Sequence, residues 1–387
     1  MKNVLWLASW YPNQLSPFDG DFLKRHAKAV ALYCKVQVIY IVKDEAKLIT
    51  QNSTIVESIN TNLTEQVIYY SSLKTGIKIL DKYFSQKKYN RLFRKVINRY
   101  IINSGKPDIV HVQIAMKAGL AALWIKRKWN IPYIVSEHWT AYLSNADIRI
   151  TDYPFIFRKW LKKVLEEASE ITVVSNHLGK AIQKYFPSIQ YKVIPNVVDT
   201  TIFYPAQKKQ TGNIRFIHIS NMNYQKNTEA ILEALHLVNG KLSFEMVLYG
   251  TVNPSLQELI SSMELQNHVF IMGEVPQDEL AKAIQQSDAL ILYSRYETFG
   301  CVLIEANACG IPVIVSELEV FHELIEDGKN GIFVKGENPV ALADKLRDFI
   351  LQKDIFDKNS IAALTELKYN FKQIGQQFND LYNKVIG

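Results

Sequence analysis

The sequence predicts an α/β protein of two domains, each built on a doubly wound parallel sheet. A length of 387 residues is more than one small domain usually holds. The composition, 48% hydrophobic and 21% charged, is that of an ordinary globular protein and excludes disordered, collagen-like and repeat chains. Short apolar, β-branched runs alternate with helical patterns throughout, and this alternation is typical of parallel strands joined by helices.

The first domain is predicted over residues 1–195. It begins with an apolar run, Asn3–Ala8, that resembles a short signal sequence, but no small-x-small cleavage site follows before Tyr11-Pro12. A first β-strand is therefore favoured. The further predicted strands are Val36–Val42, Gln66–Tyr70, Ile109–Val112, Tyr133–Ser136 and Ile171–Val174. Helical patterns occur at Phe22–Leu32, Lys88–Ile102 and Phe155–Ala168.

The second domain is predicted over residues 214–370, after a linker at 196–213 whose polar part is Ala206–Asn213. A last helical pattern occupies the segment 371–387. Because strand-to-helix turns place backbone N–H groups at the carboxyl edge of a parallel sheet, two such edges facing each other would form a ligand-binding cleft. The predicted strands are Ile214–Ser220, Ser243–Tyr249, Val269–Met272, Ala289–Tyr293, Val313–Val315 and Ile332–Val334.

The net charge of +7 hides an asymmetry between the two halves of the chain. Residues 1–200 carry 29 Lys or Arg against 15 Asp or Glu, whereas the remainder carries 16 against 23. A basic half attracts phosphates, nucleic acid or an anionic membrane, and charge alone does not choose among them. Three cysteines without a CxxC pair indicate a reducing compartment, the cytoplasm by default. No apolar run is long enough to span a membrane.

The most informative stretch runs from Ser294 to Ala306. A strand is predicted to end near Tyr293 and a helix to begin near Gly300, which leaves the N–H groups of Phe299, Gly300, Cys301 and Val302 free around a helix start, a suitable place for a phosphate. Glu297 lies in the loop and Glu305 in the helix, so the two carboxylates can reach different hydroxyls of one ligand.

The spacing of Glu297 and Glu305 resembles the E-x7-E motif of the family 4 retaining glycosyltransferases, enzymes of the GT-B fold that use nucleotide-sugar donors. Ordered motifs of the same family are matched at Pro107–His111, Val193–Asp199, Ala308–Ile314 and Glu326–Gly331. The resemblance covers nearly the whole chain. It implies two Rossmann-like domains facing across a cleft, with the acceptor on the first and the donor on the second, and a C-terminal helix that crosses back to the first domain.

The resemblance also assigns roles to the donor-binding residues. It implies that Glu305 holds the ribose hydroxyls and that Glu297 lies beside the transferred sugar. Lys226 falls on a family lysine that contacts the diphosphate, although a merely exposed lysine is the alternative. Asn221 stands where the family has an arginine, so one positive charge is missing. Either Lys226 and the helix dipole suffice, or Arg295 or another residue compensates.

In the first domain, Gly20 fits the second glycine of a family Gly-Gly pair and permits close approach of backbone N–H groups to a phosphate or sugar. His138 matches a histidine that the family places beside the donor sugar. His111, inside an apolar strand, is interpreted as a core or supporting residue. Asp19 and Asp21 imitate the Asp-x-Asp metal motif of the other main glycosyltransferase fold, but a GT-B-like chain implies no essential metal and no cofactor.

Basic clusters of the first half are open to two interpretations. Lys87–Arg99 lies on an amphipathic helix, and further clusters occur at Lys126–Lys128 and Arg158–Lys163. They are either solvated faces of packed helices or a surface for anionic lipid headgroups beside a lipid-linked acceptor, at the inner face of the membrane. Nucleic acid is not expected, because no recognised binding motif accompanies the charge.

The combined prediction is a metal-independent, hexosyltransferase-like retaining glycosyltransferase. It would move a sugar from a nucleotide-diphosphate donor to a hydroxyl of a glycan or lipid-linked acceptor, in cell-surface polysaccharide or glycolipid biosynthesis. The leaving diphosphate would accept the acceptor's proton, so catalysis would rest on positioning and electrostatic stabilisation. The alternatives are a GT-B-like nucleotide-sugar epimerase and a catalytically silent binding module, the latter supported only by Asn221.

Overall fold

The structure is a computed structural model that describes residues 1–49, 54–72, 75–208, 212–251 and 254–387. Two separate sheets organise these residues, one of eight strands and one of six. Part of the predicted linker, residues 209–211, lies outside the described residues.

The first sheet is parallel except at one edge. Its strand order is β3-β4-β2-β1-β5-β6-β7-β8, and the single antiparallel pair is β3 with β4. Its strands are β1 (Asn3–Ala8), β2 (Lys35–Lys43), β3 (Thr54–Asn60), β4 (Leu63–Tyr70), β5 (Ile109–Gln113), β6 (Tyr133–Glu137), β7 (Glu170–Val173) and β8 (Lys192–Val193).

Helices cover both faces of this sheet, and the alternation of side chains along β1 shows why. Val4, Trp6 and Ala8 point to the face covered by the first helix, whereas Leu5 and Leu7 point to the opposite face. All five side chains are fully buried. The helices of this domain are α1 (Asp21–Val30), α2 (Lys78–Ser104), α3 (Ala115–Trp129), α4 (Phe155–Glu166) and α5 (Asn176–Tyr185).

The second sheet is wholly parallel, with strand order β11-β10-β9-β12-β13-β14. The order reverses between β9 and β12, and such a switch point is where open α/β sheets bind ligands. Its strands are β9 (Ile214–Ile219), β10 (Phe244–Tyr249), β11 (Val269–Gly273), β12 (Ala289–Leu292), β13 (Val313–Ser316) and β14 (Gly331–Val334). Its helices are α6 (Thr228–Val238), α7 (Pro254–Ser262), α8 (Gln277–Gln285), α9 (Cys301–Ala308), α10 (Pro339–Gln352) and α11 (Lys358–Tyr369).

The last helix, α12 (Phe371–Ile386), packs against α1 of the first domain. Phe378 and Tyr382 are buried in the same cluster as Trp6, and the Tyr382 hydroxyl lies 2.7 Å from His111 Nδ1. A Cβ on Gly375 would lie 2.2 Å from the carbonyl oxygen of Ala29, so the two helices approach closely there.

The α/β class and the doubly wound topology predicted from the sequence are confirmed. Every predicted strand is present within one or two residues of its predicted ends, except that β4 begins three residues earlier. The edge strand β3 and the two-residue β8 were not predicted, because neither carries a continuous apolar run. Helix α2 begins ten residues before the predicted Lys88, since the apolar residues of its first turns are exposed and do not follow the helical stripe. Within the described residues, no helix combines the length and hydrophobicity needed to cross a bilayer.

Candidate donor and acceptor site

The start of α9 faces the cleft between the sheets. β12 ends at Leu292, a loop follows, and Gly300 caps the helix with φ 95°, a conformation that favours glycine. Phe299 and Gly300 are buried, whereas Cys301 and Val302 are partly accessible. The first N–H groups of an α-helix have no acceptor within the helix, so this end can receive an anion. Phe299, Gly300, Cys301 and Val302 therefore stand together at one helix N-terminus.

Glu297, in the loop before α9, forms an ion pair with Lys226. Lys226 lies in the short helix after β9, and the Ser294 hydroxyl also donates to Glu297, at 3.0 Å. Glu297 is 5% exposed, and Lys226 is partly accessible. The loops after β9 and β12, which flank the switch point, are thus joined by a lysine and a carboxylate.

Glu305, in the second turn of α9, is buried and forms an ion pair with Arg25 of α1. Arg25 is itself 4% exposed, so both charges are almost fully removed from water. Burial opposes the charge of Arg25, but the carboxylates of Glu305 and Asp21 outweigh burial and raise the Arg25 pKa. This ion pair connects the two domains across the cleft.

Asn221 occupies the position at which the family has an arginine. It is exposed in the loop after β9 and carries no charge. Arg295, the residue that could compensate, has partners here: its guanidinium lies 4.2 Å over the Tyr224 ring and donates to the Tyr224 carbonyl oxygen at 2.5 Å. Its Nε also lies 3.4 Å from Glu337. Arg295 is therefore already occupied by neighbouring groups of its own domain.

The first-domain edge of the cleft is formed by the turn before α1. Gly20 has φ 69°, and a Cβ there would lie 3.0 Å from the backbone nitrogen of Tyr11. Both the conformation and the close approach require glycine. Asp21 follows and accepts a hydrogen bond from Gln277 of α8 in the second domain. Asp21 and Asp19 belong to no cluster of three or more His, Cys, Asp or Glu that could hold a metal ion in the described parts of the chain.

His138 follows β6 and lies against the same helix. It is 7% exposed, and neither ring nitrogen has a hydrogen-bond partner. Its ring stands 4.9 Å from the ring of Phe22 and 5.7 Å from that of His26. Burial and the nearby His26 lower the pKa of His138 well below its ordinary value, so the ring is neutral. A buried neutral imidazole with two unused nitrogens is suited to bind a hydroxyl group.

His111 differs from His138, because both ring nitrogens of His111 have hydrogen-bond partners. Nδ1 meets the Tyr382 hydroxyl at 2.7 Å, and Nε2 meets Ser136 Oγ at 2.6 Å and the Gln113 amide at 3.0 Å. Fully buried, it is a core histidine that links β5 to β6 and α12, as its place in an apolar strand suggests.

A second set of contacts joins the domains at the start of α5. The backbone N–H groups of Asn176 and His177 each donate to the Glu323 carboxylate at 2.8 Å. The Ser175 hydroxyl, which also caps α5, donates to the Thr298 carbonyl oxygen at 2.7 Å. The N-terminus of α5 is thus occupied by a carboxylate of the other domain, a favourable arrangement with the helix dipole.

Arg25, Gln277 and Glu323 are not among the residues that the sequence predicts for the site. The only signal for Arg25 is its position between the buried Leu23 and Ala27 on α1, where a charged residue is unusual. That signal does not identify its partner, since Glu305 is 280 residues away.

Comparison with known proteins places this chain among sugar-transferring enzymes. Residues 199–366 match the family model described as Glycosyl transferases group 1, and residues 73–202 match the model described as Glycosyltransferase Family 4. The alpha-monoglucosyldiacylglycerol synthase of Streptococcus pneumoniae is 25% identical over 297 residues, which cover 72% of this chain and 67% of the relative.

Solved structures agree on the fold. A sucrose-phosphate synthase from Thermosynechococcus elongatus superposes with a TM-score of 0.81 at 15% identity, covering 100% of this chain and 99% of the other. Anabaena HepE in complex with UDP superposes with a TM-score of 0.73 at 18% identity, covering 99% of this chain and 100% of the other. These likenesses show the fold, and the predicted GT-B architecture of two facing Rossmann-like domains is confirmed.

Proposed function

Because this chain belongs to the family 4 glycosyltransferases, we propose that it transfers a sugar, with retention of configuration, from a nucleotide-diphosphate donor to a hydroxyl of a glycan or lipid-linked acceptor. The product would be a cell-surface polysaccharide or a glycolipid. The observation that carries this proposal is the arrangement around α9, where Glu297, Glu305 and Lys226 surround a free helix N-terminus that faces the first domain.

The donor would bind mainly to the second domain. The N–H groups at the start of α9 and the Lys226 ammonium would hold the diphosphate, and they would stabilise its charge as the sugar departs. Glu305 would accept hydrogen bonds from the ribose hydroxyls and Glu297 from the sugar. HepE structures contain UDP and UDP-glucose, which supports a donor of this class.

The acceptor would approach from the first domain. Gly20 would allow the backbone to come close to the donor, and the unpartnered nitrogens of His138 would orient a hydroxyl of the transferred sugar. Because His138 is neutral, it can accept or donate one hydrogen bond without adding a charge. The proton of the attacking hydroxyl would pass to the leaving diphosphate on the same face, and the chain's own residues would supply positioning.

A screen of nucleotide sugars by thermal stabilisation, followed by a transfer assay, tests this function. A donor that binds raises the unfolding temperature, because it stabilises the folded state only. The configuration at the sugar's anomeric carbon, read by NMR from the first product, should match that of the donor. Inversion, isomerisation of the sugar without transfer, or stabilisation by no nucleotide sugar would contradict the proposal.

We also propose that the first domain contacts an anionic membrane, and helices on one face of the first sheet support this. Exposed apolar side chains stand at the first turns of α2 (Ile79, Tyr83, Phe84) and of α4 (Phe155, Ile156). These turns follow strands β4 and β6, so they lie at the carboxyl edge of the sheet, beside the cleft. Lysines and arginines are close neighbours of both groups in the sequence. We call these five residues the apolar rim, and an anionic bilayer fits this combination of apolar tips and basic neighbours.

Sedimentation of the whole chain with vesicles tests the membrane contact. Vesicles of phosphatidylglycerol should bind the protein, more weakly as salt rises, whereas vesicles of phosphatidylcholine should not. Replacing Tyr83 and Phe84 by Ser should reduce this binding severalfold. A matched control is Leu367→Ser, an exposed apolar residue of α11 in the second domain. Equal binding to the two kinds of vesicle would remove the proposal.

A further inference from the structure

Arg25 is the one residue of the first domain that reaches a carboxylate assigned to donor binding, among the contacts of the described residues. It lies in α1, little more than one turn after Gly20, and its Nη1 donates to Glu305 Oε1. Both side chains are 5% exposed. In an ion pair so well shielded from water, removal of one partner leaves the other charge buried and unpaired, which is strongly unfavourable.

Arg25 has a second neighbour that contacts the other domain. Asp21 Oδ2 lies 3.6 Å from Arg25 Nε and accepts a hydrogen bond from Gln277 of the second domain. Arg25 Nε is buried and has no hydrogen-bond partner. Arg25 and Asp21, one turn apart on α1, therefore contact two helices of the second domain, α9 and α8.

The cations beside α9 on the second domain have their partners within that domain. Lys226 is paired with Glu297, and Arg295 contacts Tyr224 and Glu337. Arg25 differs from both, because its carboxylate partner, Glu305, belongs to the other domain. Of these three pairings, the one made by Arg25 is therefore the one that ties the domains together.

We propose that Arg25 is a positioning residue that makes donor binding depend on domain closure. It fixes the Glu305 carboxylate through Oε1 and leaves Oε2 to accept hydrogen bonds from the donor's hydroxyls. This inference rests on the proposed function, since it deepens the role given there to Glu305. Because linkage is reciprocal, a bound nucleotide stabilises the closed arrangement to the same extent as closure strengthens nucleotide binding.

The same geometry allows an opposite role for Arg25, in which it hinders nucleotide binding. If the donor's hydroxyls needed Oε1, Arg25 would compete with the nucleotide and its removal would tighten binding. A carboxylate, however, has about four acceptor positions on two oxygens, so an arginine and a ribose can share it. The two roles predict opposite changes in affinity.

Calorimetric titration of the whole chain with UDP distinguishes them. Arg25→Met should weaken UDP binding by tenfold or more, and Arg25→Lys by less, because lysine keeps the charge without the planar guanidinium. In a Glu305→Gln background, Arg25→Met should add less than twofold, since its partner is already changed. The matched control is Lys24→Met, which removes an ion pair of 2.9 Å to Glu65 within the first domain and should change affinity less than twofold.

Small-angle X-ray scattering without nucleotide gives a second test. Arg25→Met should have a larger radius of gyration than the wild type and Lys24→Met, because an interdomain tie is lost. Unchanged or tighter UDP binding by Arg25→Met would overturn the proposal, as would equal radii of gyration. If Arg25→Met does not fold, Arg25→Lys is judged by the same criteria. Failure of the wild type to bind UDP would count against the proposed donor, and Arg25 would then be judged by scattering alone.

Discussion

Lys226 and Glu297 form an ion pair between the loops that follow β9 and β12, at the switch point of the second sheet. The carboxylate is held a second time by the Ser294 hydroxyl, at 3.0 Å. The lysine is the more accessible partner, since its side chain is 19% exposed against 6% for Glu297. The Lys226 ammonium is therefore held in place beside the switch point, with part of its surface open to solvent.

We expect Lys226→Ala to weaken UDP binding by about tenfold to a hundredfold, the effect of losing a hydrogen bond to a charged group. Binding of uridine, which has no phosphate, should not change, because the ammonium would contact only the diphosphate. Calorimetry with both ligands measures the difference. Lys241→Ala, an exposed lysine of the same domain, is the control. A loss of equal size for uridine and UDP would contradict the assignment of Lys226 to the phosphates.

Glu305→Ala should abolish discrimination between UDP and its 2′,3′-dideoxy analogue. The wild type should prefer UDP by about tenfold or more, since hydrogen bonds to a carboxylate are strong. The variant should bind the two ligands alike, because the acceptor of the hydroxyl hydrogen bonds is gone. Competition titrations measure the two ratios. A Glu305→Ala variant that still prefers UDP would show that another group reads the ribose.

Acidification from pH 7 to pH 5 should destabilise the protein. Burial lowers the pKa of His26 and His218 to about 4, and that of His111 and His138 well below the ordinary value. Below about pH 6.5 the unfolded chain therefore binds protons that the folded chain does not. Burial also raises the pKa of Glu137 to about 7, so the folded state binds one proton more in the same window and offsets one histidine.

The expected slope is about 1.4 kcal/mol per pH unit for each proton in excess, with stability falling as pH falls. Unfolding temperatures measured from pH 7.5 to 5.0 test this. His138→Asn should reduce the slope, because it removes one of the buried imidazoles that stay neutral. His236→Asn, at an exposed position, should leave the slope as it is. A stability that rises on acidification would show that the buried histidines are protonated in the folded state.

Gly375→Ala should destabilise the packing of α12 on α1. The new Cβ would lie 2.2 Å from the Ala29 carbonyl oxygen, so the helices must separate. Overpacking of this kind typically costs about 1–3 kcal/mol. Denaturant unfolding measures the change, and Gln376→Ala, exposed on the next position of the same helix, is the control. Equal stability of the two variants would mean that α12 is not held against α1 in solution.

The order of strands and helices could be read from the sequence, because each strand is an apolar run that must be buried on both faces of a parallel sheet. Val313–Ser316 and Asn3–Ala8 are examples, and both are fully or almost fully buried. The helix that begins beside Gly300 could also be read, since a glycine after a strand and before an apolar run marks such a turn. Edge strand β3 could not, because an edge needs no continuous apolar pattern.

The sequence by itself determined the fold class, the family, and which residues of the second domain form the start of α9 with its two glutamates. The start of α9 depends on spacing within one strand-turn-helix unit, the family on several motifs in order along the chain, and the fold class on the alternation of strands and helices. Only the tertiary structure decided that Glu305 faces Arg25, that Arg295 turns to Tyr224, and that His138 is left with two unpartnered nitrogens. Such relationships join segments that are up to 280 residues apart, and they arise only when the folded chain brings those segments together. No periodicity along one chain encodes which buried charge will meet which.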